Sequence, residues 1–231
     1  MGTLRSAVAS SPLDDFREAF EAKGYLRLPA ASSDSTGDMW YRFEASSENA
    51  IHLANLQYKP IARAYGVRLA AFNPDAQRLV KSALPLILRY LHPSFAGNRA
   101  KYFDRPHWLL FDVGRALQWP LLAVPNPFAR DTWPSQLQEL LDKFLEPTFW
   151  KVKSIPGLQE LLFRNEAPFE WSASGPVIRA AEIIALAKVA KSDTAAIKRK
   201  LLDFRQTITA GMHGSTDCEG MLDQFFERIG Q

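Results

Sequence analysis

One change of hydrophobic period limits what this chain can fold into. Over residues 39–72 apolar side chains mostly alternate with polar ones, and from Asn73 onward they recur at helical spacing to the C-terminus. Tyr41, Phe43 and Ala45 share one side of an extended segment, as do Val67, Leu69 and Ala71, while Arg42, Glu44 and Arg68 point the other way. Such a switch predicts an α+β protein: a four- or five-stranded antiparallel sheet packed by helices, followed by a helical C-terminal subdomain. The expected strands cover residues 25–29, 39–45, 50–58, 65–72 and 107–113. The prolines at 120, 125, 127 and 134 mark a boundary, giving a sheet half over residues 1–120 and a helical half over 121–231 that together form one compact unit.

The helical signals are sharper than the strand signals. Ser11, Pro12, Asp14 and Asp15 begin a first helix, with Leu13, Phe16 and Phe20 as its stripe and Gly24 as its stop. Asn73 and Pro74 cap a helix whose apolar face holds Leu79, Val80, Ala83, Ile87, Tyr90 and Leu91. Pro85 inside it removes a backbone hydrogen bond, at a cost of about 3 kcal/mol unless a kink or break absorbs it. Leu137, Leu140, Leu141, Phe144 and Leu145 form the next stripe, which Pro147 is expected to end. A short helix follows near residues 157–163. The stretch 171–189 (WSASGPVIRAAEIIALAKV) starts at Ser174 or Gly175 before Pro176 and is apolar nearly all round, so it should be the central helix of the second half. Ile197, Leu201, Phe204 and Ile208 predict one further helix. Thr216 with Glu219 reads as a capping box for the last, which buries Met221, Leu222, Phe225 and Ile229.

A chain of 231 residues can bury roughly 70 to 75% of its unfolded surface, enough for such a core. The 28 basic and 25 acidic residues nearly cancel, and a net charge of +3 does not by itself imply nucleic acid. The single cysteine, Cys218, excludes an internal disulfide and fits a reducing compartment. Residues 6–11 lack the apolar run of a secretory signal, and no apolar stretch approaches the roughly 18 residues of a spanning helix. A cytoplasmic location without membrane contact is therefore expected.

Chemistry-bearing patterns are sparse. His52, His92, His107 and His213 show no ligand spacing, and His213 with Cys218 makes only a pair, so no metal site and no cofactor is expected. There is no Gly-x-Ser-x-Gly elbow. Cys218 opens a helix whose dipole could lower its pKa, but Asp217 and Glu219 oppose a thiolate, and an inert cysteine is the favoured reading. The segment AGNRA at 96–100 has one glycine and no Lys-Ser or Lys-Thr follower, which argues against phosphate cradling. Asp112 among Leu109, Leu110, Phe111 and Val113 either faces solvent or needs a partner, and solvent is favoured. Lys198, Arg199 and Lys200 read as a solvated helix face diluted by Asp193 and Asp203. The loop with Arg99, Lys101, Tyr102, Arg105 and His107 mixes cations with aromatics, as protein interfaces do, and is the candidate partner-binding site.

The order of an N-terminal helix, an aromatic extended segment, IHLANLQYK at 51–59 with Gln57, YGVRLAAF at 65–72 and the Trp-containing stretch HWLLFDV at 107–113 resembles a bacterial domain-of-unknown-function family, number 4304. The resemblance covers residues 13–145, and the later PFEW at 168–171 matches only loosely. It implies a bacterial, cytosolic, stand-alone domain and supplies no catalytic residues. By analogy, small domains of this kind suggest an immunity protein that neutralises a cognate antibacterial toxin by covering its active site. The expectation is thus a non-enzymatic protein-binding domain with a protein partner and no catalytic residue. Two other readings stay open: an enzyme with a cleft between the halves, and an adaptor or structural subunit held by a sheet edge.

Overall fold

A computed structural model describes residues 18–19, 21–23, 25–27, 41–43, 48–53, 57–59, 64–66, 68–93, 111–112, 138, 142–143, 146–165 and 175–230. Asn73 starts the helical body as expected. Its side-chain oxygen accepts from the backbone N–H groups of Asp75 and Ala76 at 3.1 and 3.0 Å, and Pro74 occupies the first turn, where no N–H is required. Helix α1 (Pro74–Ser82) then stops and α2 (Leu84–Arg89) begins, with Ala83 between them. The break absorbs the backbone bond that Pro85 cannot make. Four further helices follow: α3 (Glu146–Val152), α4 (Ile155–Phe163), α5 (Pro176–Val189) and α6 (Thr194–Leu202). Two more, α7 (Arg205–Ala210) and α8 (Cys218–Gly230), complete the described chain.

Helix α5 is the centre. Pro176 and Val177 and the whole run from Arg179 to Ala187 are buried, so no face is left for solvent, as its all-round apolar pattern requires. Helices α1, α2, α4, α6, α7 and α8 all pack against it. Val80, Ile87, Leu158, Leu162, Leu201, Ile208, Leu222 and Phe225 fill the space between them. Tyr90 meets Phe225 edge to face, with centroids 5.8 Å apart, the arrangement that ring quadrupoles favour. Gly175 precedes α5 at φ 72°, a conformation that a Cβ would strain.

This packing corrects the expected fold class. The body is 75% helical and its described core is built helix on helix, which does not fit an α+β protein whose core rests on a four- or five-stranded antiparallel sheet. Short antiparallel backbone pairings do occur at its margin. Ala50–Leu53 runs beside Arg68–Phe72, with Ile51 opposite Ala71, and Phe111–Asp112 runs beside the same segment. Ala71 of the segment Arg68–Phe72 is part of the buried core. The alternating pattern is a local preference for extended backbone, and it does not say which layer buries the apolar surface. Here the helices cover one another, and α5 lies within a helical shell.

Smaller expectations also change. Pro147 lies in the first turn of α3, a position that suits proline, while the helix it was expected to end lies largely outside the described residues. The expected single helix through Ile197, Leu201, Phe204 and Ile208 is two, split at Asp203 and Phe204. At α8 the side chain that accepts a backbone N–H is that of Asp217, from Gly220 at 2.9 Å, in place of Thr216. Among the described residues no helix is long and apolar enough to cross a membrane. The first expected helix, apart from residues 18–23, and most of the stripe from Leu137 to Leu145 lie outside the described residues.

Candidate partner-binding corner

The one exposed large hydrophobic side chain among the described residues is Trp150, two-thirds open to solvent on α3. Helical geometry sets its direction. Thr148 and Val152, two residues to either side, are buried, so Trp150 faces outward with Pro147 and Lys151. The ammonium of Lys153 lies 4.3 Å from the centroid of the indole ring, within cation–π range. The pair presents a flat apolar surface edged by a cation.

Residues distant in sequence hold this corner. The side-chain amide of Asn49 donates to the carbonyl of Val152 at 2.8 Å, and the backbone N–H of Glu48 donates to the carbonyl of Lys153 at 3.1 Å. These are carbonyls at the end of α3, which have no partner within the helix. The Glu48 carboxylate accepts from the N–H of Ile155 at 2.9 Å, a negative charge at the positive end of α4. Ser154 caps the same helix, its hydroxyl accepting from Gly157 at 3.2 Å. Asn73 completes the set by donating to the Asn49 side-chain oxygen and the Glu48 carbonyl, both at 3.1 Å. Asn49 and Asn73 are 2% and 4% exposed, so their amides would be costly to leave unpaired. The α3–α4 turn, the start of α1 and residues 48–49 are therefore joined as one polar node beneath Trp150. Gly157 adds a close approach: a Cβ there would stand 2.8 Å from the Lys151 carbonyl carbon.

The other chemistry-bearing groups are engaged inside the fold. Arg179 is 1% exposed and donates to the carbonyls of Leu162 and Arg164 at 2.6 Å each and of Leu161 at 3.2 Å, closing the end of α4. Burial pulls its guanidinium down to about 10, with Glu182 acting in the opposite direction, so it stays charged at neutral pH. Lys198 pairs with Asp223 at 2.7 Å and Glu219 at 3.3 Å, and Lys200 lies over the ring of Phe163 at 5.5 Å. Cys218 is buried. Desolvation pushes its thiol up and outweighs the positive charge of Arg205, which supports the inert reading.

Arg99, Lys101, Tyr102, Arg105 and His107, the sequence candidates for partner binding, lie outside the described residues. Asp112 stands opposite Arg68 in the backbone register of the marginal pairing. No group of three or more His, Cys, Asp or Glu side chains among the described residues is placed to hold a metal ion. Sequence reasoning missed Trp150, Asn49, Asn73 and Arg179 as a set. Asn73 was legible only as the cap of α1, and the helix that carries Trp150 was not expected from the sequence, since hydrogen bonds spanning a hundred residues leave no local pattern. No family model matches the chain, and no curated protein or solved structure matches it either. The resemblance to family 4304 thus has no support.

Proposed function

We propose that this protein is a non-enzymatic protein-binding module, most concretely an immunity protein that neutralises a toxin by covering its active site. The observation that carries the reading is the exposed Trp150, two-thirds open beside Lys153 on a corner held from beneath by buried amides. Tryptophan is enriched among residues that dominate binding energy, and a rigid anchor loses little conformational freedom on association. The cations Arg99, Lys101 and Arg105, with Tyr102 and His107, which lie outside the described residues, are proposed as a second contact for a partner with an acidic cleft.

Affinity capture of the tagged protein from cells that express it naturally, followed by mass spectrometry, tests the reading. A stoichiometric partner with a toxin domain, whose killing the protein suppresses on co-expression, is the expected result. Trp150→Ala should weaken that complex by about 2 kcal/mol or more while the far-UV circular dichroism stays unchanged. A bait that captures no partner overturns the constitutive complex. An unchanged dissociation constant for the variant removes the corner from the interface, and the same result for the Arg99, Lys101 and Arg105 triple alanine variant removes the loop.

A further inference from the structure

The sequence showed four histidines without ligand spacing, but the fold brings two of them together. His92 follows α2 and His213 lies in the connection from α7 to α8. Their rings stand 4.6 Å apart between centroids at an interplanar angle of 70°, and both side chains are exposed. The backbone that carries them is fixed. The N–H of His213 donates to the carbonyl of Tyr90 at 2.9 Å, and the Tyr90 ring packs on Phe225 of α8. The pair therefore joins two well-packed parts of the helical body.

We infer that His92 and His213 form a two-histidine site for a borderline transition-metal ion such as Cu2+, Ni2+ or Zn2+. Imidazole nitrogen is a favoured ligand for these ions and a poor one for Mg2+. A metal about 2 Å from one nitrogen of each ring would set the ring centroids about 5 Å apart, close to the observed 4.6 Å, and the two exposed imidazoles reach it by rotating from their edge-to-face contact until one nitrogen of each faces the ion. Among the described residues no third His, Cys, Asp or Glu side chain converges on the pair. Bound metal would clip the end of α2 to the α7–α8 connection and stabilise the folded state over the unfolded one.

Isothermal titration of the chelator-treated full chain with CuCl2, NiCl2, ZnCl2 and MgCl2 tests the site, with thermal unfolding as the second readout. One ion per chain is expected, bound more tightly for Cu2+ than for Ni2+ and not at all for Mg2+. His92→Ala and His213→Ala should each weaken binding about tenfold or more and abolish the rise in melting temperature that Zn2+ gives the parent. His92→Gln and His213→Gln repeat the test at closer side-chain volume should an alanine variant fold poorly. Absence of binding by the parent, retention of binding in both alanine variants, or dependence on only one of the two histidines overturns the assignment.

Discussion

Replacing Arg179 by methionine should be among the most damaging single changes available in the described body. The side chain is 1% exposed, and its charge-assisted hydrogen bonds to the carbonyls of Leu162 and Arg164 are 2.6 Å long. Bonds to charged groups are worth roughly 1.5–3 kcal/mol each, so losing these two removes about 3–6 kcal/mol. Relief of the guanidinium's desolvation offsets part of this. Against that relief, Glu182 stays buried without the opposing charge of Arg179. Breaking one side of a buried pair costs about 3–5 kcal/mol in measured cases, and that is the expected net loss. Urea unfolding followed by far-UV circular dichroism measures it. With a slope of about 2 kcal/mol/M the midpoint should fall by about 2 M.

A second variant separates the two sources of the effect. If the carbonyls at the end of α4 dominate, Arg179→Met with Glu182→Met should remain destabilised by about 2 kcal/mol or more, because those carbonyls still lack donors. If the ion pair dominates, the double variant should recover to near the parent. A midpoint for Arg179→Met within about 0.5 M of the parent would refute the assignment of Arg179 as the closure of α4.

Three further outcomes follow from local geometry. Lys191 ends α5 at φ 53°, with Ser192 N–H donating to Ala187 O and Lys191 N–H to Lys188 O; Lys191→Gly should stabilise the fold by about 1 kcal/mol in the same assay. Gly157→Ala should destabilise by about 1–3 kcal/mol, since its Cβ forces α4 away from the Lys151 carbonyl. The Cys218 thiol should resist iodoacetamide in the folded protein at pH 8 and react once urea unfolds it, because burial raises its pKa. A thiol whose folded pKa is raised contributes stability that is fully present below the unfolded pKa. That contribution is lost as pH climbs from the unfolded pKa through the folded one, so part of the alkaline loss of stability should vanish in Cys218→Ala.

The helices were legible where one local signal decides the outcome. Asn73 before Pro74 announced α1, Pro85 announced its break, and the run from Val177 to Ala187, apolar apart from Arg179 and Glu182, announced a central helix. Signals with two meanings were weaker guides. Pro147 stands at the start of α3, which the sequence did not announce, and the spacing from Ile197 to Ile208 stays in phase across the break at Asp203. Alternation over residues 39–72 carried the largest error, since it reports backbone preference and is silent on where the apolar faces are buried. The corner beneath Trp150 was beyond sequence reading for a different reason. Asn49 acts on Val152 across 103 positions, and nothing near either residue marks the contact.

The polar groups at the helix ends share a logic that bears on where function resides. Asn73 serves the start of α1, Glu48 and Ser154 the start of α4, Asn49 the end of α3 and Arg179 the end of α4. Each satisfies backbone groups that a helix leaves without partners at its termini. A helical body assembled from segments of 6 to 14 residues has many such ends for its size, and burying them demands polar side chains at defined positions. Those side chains are thereby committed to architecture. The chemistry left facing outward is different in kind: an indole under an ammonium at the α3–α4 corner, and a pair of imidazoles where α2 meets the α7–α8 connection. The physical case for placing recognition at the first and metal at the second is that the fold carries these groups on its outer face, where an incoming partner or ion can reach them.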